Sequence, residues 1–337
     1  FMNFEQAVTQ HYGDTDLISR IFDGLEASGA NLDQLTPEDL APVDEFHLGG
    51  RAATAHAVAK LPINKDSHVL EIGCGIGGSA RFIASEIGCR VTGIDLTPEY
   101  VSAAQILNNR IGLGNQVTYE IGSALDMPFE APTFDAATTF HVAMNIADRD
   151  TLYSEIARVL RPNGILCLYD IMKKGDEPID FPVPWASSVE TSHLTTPEET
   201  ITHLEGAGFE VQEVEDRTEF ALEAFKQGLA ARTDGPPPLG IHLLMGETAP
   251  VKFKNILSNI QTLMVKRNAF SWVGLIGLLV TAQILYVNFE KIVNNLLHAD
   301  KTRNYFLTRL LFFVWMLGIV FMQFVPVAFE VVNNWLS

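Results

Sequence analysis

The stretch that decides the fold is His68-Val69-Leu70-Glu71-Ile72-Gly73-Cys74-Gly75-Ile76-Gly77-Gly78. A short apolar run, predicted to be a strand, stops at an acid and opens into a glycine-rich turn. Ala80, Ile83, Ala84 and Ile87 then recur at spacings of three and four, which predicts a helix. Strand, turn and helix make the first half of a nucleotide-binding βαβ unit. Glycine suits such a turn because a side chain would block the close approach of backbone to a ligand.

Gly73, Gly75 and Gly78 also satisfy the dinucleotide pattern G-x-G-x-x-G, a weak signal alone. Glu71 argues against that reading, because a carboxylate would repel a pyrophosphate laid on the helix N-terminus. S-adenosylmethionine carries an ammonium and a sulfonium and no phosphate, so an acid at the strand end suits it. Val91-Thr92-Gly93-Ile94-Asp95 is predicted as the second strand and ends in an acid 22 positions after Gly73. At that spacing a carboxylate reaches the ribose hydroxyls of a bound nucleoside.

Outward from this core, strand and helix signals alternate. Tyr100, Val101, Ala104 and Leu107 line a helix with Thr97 as N-cap and Pro98 at its first position. Strands are predicted at Val117–Ile121, Asp135–Phe140, Ile165–Tyr169 and Phe209–Val214. The fifth, Ile165–Tyr169, is nearly all apolar, as expected of a strand covered on both faces. Leu152, Ile156 and Val159 mark a helix that Pro162-Asn163-Gly164 ends, and Thr196-Pro197-Glu198-Glu199 is a capping box opening another. Ahead of the core, Leu17, Ile21 and Leu25 mark an amphipathic helix, and a second helix runs through Ala59. The expected fold is α/β: a Rossmann-like, doubly wound, mostly parallel sheet with its ligand at the strand carboxyl ends. Residues 1–60 are expected to form a helical cap, 61–265 the cofactor-binding domain and 266–337 a two-helix hairpin.

The 337-residue chain is 47% apolar and carries a net charge of −18. From Val251 on there are 8 Lys/Arg against 3 Asp/Glu, which leaves 15 against 38 in the body. A body so acidic argues against a nucleic-acid partner, since phosphate binding needs positive surface. Cys74, Cys89 and Cys167 are too few for a disulfide framework or a metal site, and they fit a reducing cytosol. The opening residues lack a basic stretch followed by an apolar run, so no secretory signal is expected there.

Together these pieces resemble the small-molecule class I methyltransferases over about residues 8–260, particularly the sarcosine/dimethylglycine N-methyltransferases. Ubiquinone/menaquinone-type enzymes are more distant. Besides the glycine stretch and Val91–Thr97, the likeness is carried by Glu45-Phe46-His47-Leu48-Gly49-Gly50-Arg51, Phe140-His141-Val142-Ala143-Met144-Asn145-Ile146, Leu168-Tyr169-Asp170-Ile171 and Pro182-Val183-Pro184-Trp185-Ala186. The resemblance implies S-adenosylmethionine as cofactor and S-adenosylhomocysteine as product. It implies that Glu71, Gly73, Gly75 and Gly77 hold the methionine part and Asp95 the ribose. Leu96 is then expected against the adenine, with Ser123 and Ala124 at the ring edge. Relatives usually carry an acid where Ser123 stands, so reduced cofactor affinity is expected. Arg51 and His141 complete the expected cofactor set.

The chemistry expected is in-line displacement at a methyl group already activated by a sulfonium. The protein then supplies alignment, desolvation and an uncharged nucleophile. His141 and Asp170, ending the fourth and fifth strands, are the candidate catalytic groups. Tyr12, His47 and Trp185 are candidate acceptor-binding residues, and cation–π contact between Trp185 and a methylated amine is worth about 0.5–2 kcal/mol. Glycine, sarcosine or dimethylglycine are the expected acceptors. A quinone or lipid acceptor, or a domain that binds the cofactor without turnover, are the alternatives.

The tail changes character. Phe270–Val287 is an 18-residue run without a charge and Leu310–Phe329 a 20-residue one, close to the ~20 needed to span a bilayer. Trp272, Tyr286, Tyr305 and Trp335 suit the interfaces. A transmembrane hairpin is expected, anchoring the catalytic domain on the cytoplasmic side, where S-adenosylmethionine is made. Basic residues are balanced between the two flanks and leave orientation open. The tail weakly resembles part of the YihY-type inner-membrane proteins through Gly274–Leu279, Phe289-Glu290-Lys291, Asn294-Asn295, Arg303 and Arg309.

Overall fold

The computed structural model describes residues 17–45, 47–175 and 178–230. Five strands form one parallel sheet: β1 (His68–Ile72), β2 (Arg90–Asp95), β3 (Val117–Ile121), β4 (Phe134–Phe140) and β5 (Leu160–Tyr169). Their order across the sheet is β3-β2-β1-β4-β5. The chain moves outward through β2 and β3, then crosses back to the other side of β1. Ligands of such sheets sit at that reversal, outside the strand carboxyl ends. Ile72 lies level with Ile94 and Thr139, which brings the ends of β1, β2 and β4 to one edge.

Alternation along the strands feeds two cores. Val69 and Val91 pack with Ala80, Ile83 and Ala84 of α4 (Gly78–Ile87) and with Val101 and Ala104 of α5 (Pro98–Arg110). Leu70, Ile72 and Ile94 point the opposite way, onto Leu152, Tyr153 and Ile156 of α6 (Arg149–Val159). Covering on both faces is why β1 is apolar at consecutive positions.

The N-terminal helices form a third core. Leu17, Ile21 and Leu25 of α1 (Leu17–Ala27) pack with Leu40 and Val43 of α2 (Pro37–Asp44), with Tyr100 and Leu107 of α5, and with Ile76 of the glycine turn. The third helix, α3 (Gly50–Val58), follows directly. The helix α2 is absent from the sequence reading although it announces itself. Thr36 and Asp39 form a capping box, with Pro37 at the first position. With only Leu40 and Val43 buried as apolar side chains, it lacks the longer periodicity that marks the other helices.

The helices α7 (Pro197–Gly206) and α8 (Thr218–Ala230) complete the described elements, and α7 opens on the expected Thr196–Glu199 box. Four expectations change. Phe209–Val214 joins no ladder, because a strand needs a hydrogen-bonded neighbour and no described residue beyond β5 supplies one. The fifth strand begins at Leu160 rather than Ile165 and slips register as it passes Pro162-Asn163-Gly164, with Asn163 at φ 64°. Its residues 164–169 are half-buried rather than covered on both faces. Thr97 sits at the N-cap of α5, but its hydroxyl makes no cap bond; Asp95 Oδ1 accepts from the Thr97 N–H instead, at 2.9 Å.

Among the described residues no helix is long and apolar enough to cross a membrane. The two uncharged runs, the short helix expected at 253–260 and the seventh strand expected at 262–265 lie outside the described residues.

Candidate active site

The glycine turn is tied to the neighbouring strand. The N–H groups of Gly73 and Cys74 both donate to the Ile94 carbonyl, at 2.8 and 3.1 Å. Gly73 has φ 66° and Gly77 φ 83°, both in the left-handed region. A methyl group at Gly73 would lie 2.4 Å from Val142 Cγ2, and one at Gly77 would lie 2.2 Å from Tyr119 Oη. At both positions the backbone conformation and the space require glycine.

Two acids flank the turn. Asp95 accepts from Gly75 N–H through Oδ2 at 2.8 Å and from Thr97 N–H through Oδ1. A carboxylate offers about four acceptor sites, so capacity remains for ribose hydroxyls. Burial raises the Asp95 pKa, and the backbone N–H groups pull against that rise. Glu71 is 3% exposed, and its Oε2 has no hydrogen-bond partner. Burial, reinforced by the charge of Glu45, pushes its pKa up to about 8. A buried carboxylate oxygen without a donor is costly by itself and favourable to a cation. It fits a sulfonium- and ammonium-bearing cofactor and opposes a pyrophosphate. Gly122 N–H donates to the Asp95 carbonyl at 3.0 Å, which sets Ser123 and Ala124 close to the end of β2. The Ser123 hydroxyl accepts from Leu125 N–H. Leu96, next to Asp95, is half-buried.

A second group gathers at the ends of β4 and β5. His47 stacks on Phe140 at 5.2 Å and meets His141 and Tyr169 edge-on, each at 5.9 Å. His47 Nε2 lies 3.2 Å from the Gly50 carbonyl, an acceptor only, so this nitrogen carries a proton. Burial lowers the pKa of His47 to about 4 and, together with His47, that of His141 to about 3. Both imidazoles are therefore neutral at pH 7. His141 also adopts φ 56°, unusual for a residue with a side chain. Asp170 accepts from Met144 and Ile171 N–H groups at 2.8 and 3.1 Å, and burial raises its pKa to about 7.

The segment over this mouth is stapled down. Asn145 Nδ2 donates to the carbonyls of Trp185 and Thr191, both at 2.8 Å, and Trp185 Nε1 donates to Ser192 Oγ at 3.0 Å. Arg149 donates to the His193 carbonyl and stands 3.9 Å from Asp170. Asn145 and Arg149 are buried polar residues that the sequence reading did not single out. Asn145 stands inside the Phe140–Ile146 motif, which was the available signal.

Residues 70–168 match a family model described as a methyltransferase domain. A methyltransferase domain is therefore what this stretch of the chain is similar to. The chain is 33% identical over 134 residues to the O-methyltransferase resE of Aspergillus sclerotiorum, covering 40% of this chain and 51% of that protein. It is 34% identical over 103 residues to norajmaline N-methyltransferase of Rauvolfia serpentina, covering 31% and 35%. It therefore spans about half the length of these curated relatives or less. Among solved structures, the cyclase SpnF superposes with a TM-score of 0.55 at 21% identity, over 77% of this chain and 92% of that one, a likeness of fold.

At the carboxyl ends of the strands, the structure brings Glu71, the glycines, Asp95, Leu96, Ser123 and Ala124 to one edge, and His47, His141 and Asp170 to the adjoining one. Arg51, expected in the cofactor set, pairs with Glu45. Its Nε lies 2.7 Å from Glu45 Oε1, and its guanidinium stacks 4.9 Å above the Phe82 ring. Tyr12 lies outside the described residues.

Proposed function

We propose that this chain transfers a methyl group from S-adenosylmethionine to a small molecule, most favourably an amine nitrogen of the glycine, sarcosine or dimethylglycine type. The observation that carries the cofactor half is Glu71, with a buried carboxylate oxygen left without a donor beside the glycine turn. The cofactor supplies a methyl group activated by its sulfonium. The chain's part is to align an uncharged acceptor and keep water away.

Two neutral imidazoles at the adjoining edge support the amine reading. An unprotonated His141 accepts a hydrogen bond from an acceptor N–H and thereby orients its lone pair. With a pKa near 3, however, it is a poor store for the proton that an ammonium must lose. Asp170, near 7, is better matched to that task. His47 and Trp185 would then wall the acceptor, with the Asn145 staple holding Trp185 in place.

A second reading keeps the enzyme class and makes the acceptor a quinone or lipid modified at carbon or oxygen. The two uncharged tail runs favour it, since a membrane hairpin would bring the domain to such a substrate. In this proposal residues 266–337 anchor the chain and the catalytic domain faces the cytoplasm. In a third, the domain binds the cofactor without turnover. Transfer of labelled methyl to glycine, sarcosine, dimethylglycine and a quinone precursor separates the three. Label in an amine supports the first, label in the quinone precursor alone supports the second, and tight binding without transfer supports the third. For the tether, the full chain should sediment with membranes while a chain ending after Arg267 stays soluble; a full chain soluble without detergent removes the anchor.

A further inference from the structure

Where the end of α2 packs against the start of α4, three carboxylates and two guanidiniums share one buried region. The side chains of Asp44, Glu45 and Arg81 are fully buried. Arg81 Nη2 donates to Asp44 Oδ2 at 2.9 Å, and Arg51 pairs with Glu45 at 2.7 Å. Each cation is thus answered by one acid, and Glu71 is the acid left over.

The remaining groups facing this region do not change the balance. From α3, the Thr54 hydroxyl donates to Glu45, and the His47 ring beside it is neutral. From α4, the Ser79 hydroxyl and the Ala80 N–H favour the charged form of Glu71 but bring no charge of their own. From β3, the Tyr119 phenol stays protonated because burial raises its pKa, and it lies 3.4 Å from Arg81. The Cys74 thiol is likewise held protonated by burial. Asp95, on β2, is answered by backbone N–H groups. One negative charge therefore remains in excess, in a place where an unpaired charge is strongly disfavoured. A proton removes it when no other cation is present. Burial raises the pKa of Glu45 to about 7 and that of Glu71 further, and the charge of Glu45 adds to the rise at Glu71.

We infer that Glu45 is a second cofactor-recognition acid, which holds one buried proton jointly with Glu71 until the positively charged cofactor displaces it to solvent. The inference rests on reading this site as one for S-adenosylmethionine. That molecule carries a carboxylate, an ammonium and a sulfonium, a net charge of about +1, whereas S-adenosylhomocysteine lacks the sulfonium and is neutral. The exchange of one proton for one cationic ligand favours the methyl donor over the spent product, and it does so more strongly as pH rises. No covalent bond changes; the proton leaves to the buffer.

Calorimetry of the full chain with S-adenosylmethionine and with S-adenosylhomocysteine, in two buffers of different ionisation enthalpy, counts the protons released. At pH 7 we expect release approaching one proton for the donor and less for the product. The donor Kd should weaken by up to about tenfold per pH unit from pH 7 to 6 and level off above pH 8. In Glu45→Gln the acids and cations balance without a proton. Release should then fall toward zero, and the preference for donor over product should shrink. Donor binding with the same apparent enthalpy in both buffers overturns the inference, as does a Glu45→Gln protein that releases protons like the wild type. If that variant fails to fold, the wild-type buffer series decides alone. Absence of donor binding at every pH overturns the proposed function and this inference together.

Discussion

Asp44→Ala should be among the most destabilising single substitutions in the described domain. It strips the carboxylate from a guanidinium that has no exposed surface. Arg81 would keep only the Tyr119 hydroxyl, at 3.4 Å. Removing one partner of a buried ion pair costs about 3–5 kcal/mol, because the remaining charge is left uncompensated. Glu71 also acts on Arg81 through its charge and relieves part of that loss, so the lower end, about 3 kcal/mol, is the expected value. For a domain of this size each kcal/mol lowers Tm by about 2–4 °C, which gives a fall of about 6–12 °C. Thermal unfolding followed by circular dichroism reads it. Asp66→Ala is the control. It removes an acid that pairs with Lys65 in full contact with water, worth at most about 1 kcal/mol. Replacing both partners, Asp44→Leu with Arg81→Met, should recover most of the loss, since an apolar pair of similar volume needs no compensation. The reasoning is refuted if Asp44→Ala shifts Tm no more than Asp66→Ala, or if the double variant is no better than the single one.

Gly75→Val or Asp95→Ala should abolish or strongly weaken S-adenosylmethionine binding by calorimetry while leaving the helical signal nearly intact; unchanged affinity in both would remove the basis of the cofactor site. His141→Ala should lower turnover more than cofactor affinity, and any break in the rate profile near pH 7 should survive it, because the buried imidazole does not titrate there. Loss of that break would return the proton-accepting role to His141. Stability without cofactor should rise as pH falls from 8 to 6.5. Glu45, Glu71 and Asp170 have folded pKa values raised to about 7, 8 and 7, so over this window the folded chain binds protons that the unfolded chain releases. Below pH 6.5 the trend should flatten or reverse, because His47 and His141 have lowered folded pKa values and only the unfolded chain takes up their protons. A Tm that climbs steadily from pH 6.5 to 8 would contradict the raised pKa values of the three acids.

The sequence by itself determined the five strands of the described sheet, the glycine turn and the two strand-end acids beside it. These are local: an apolar run, positive-φ glycines and a strand-terminal acid lie within a few residues of one another, and each carries its own pattern. It also announced the α7 capping box, and the Thr36–Asp39 box was equally legible, though too short in apolar periodicity to be taken up. Only the tertiary structure decided what the acids face. Arg51 turns to Glu45, Asp44 meets Arg81 across 37 residues of chain, and Asn145 reaches Trp185 and Thr191 over 40 and 46 residues. No spacing rule reports such pairings, because they depend on which helix packs against which strand. The protonation states follow the same logic. A histidine at a strand end reads as a base near neutrality, and burial beside Tyr169 and a second imidazole makes it a weakly basic, neutral ring. Whether a strand has a partner is also a property of the assembled sheet, which is why Phe209–Val214 reads as a strand and forms no ladder among the described residues.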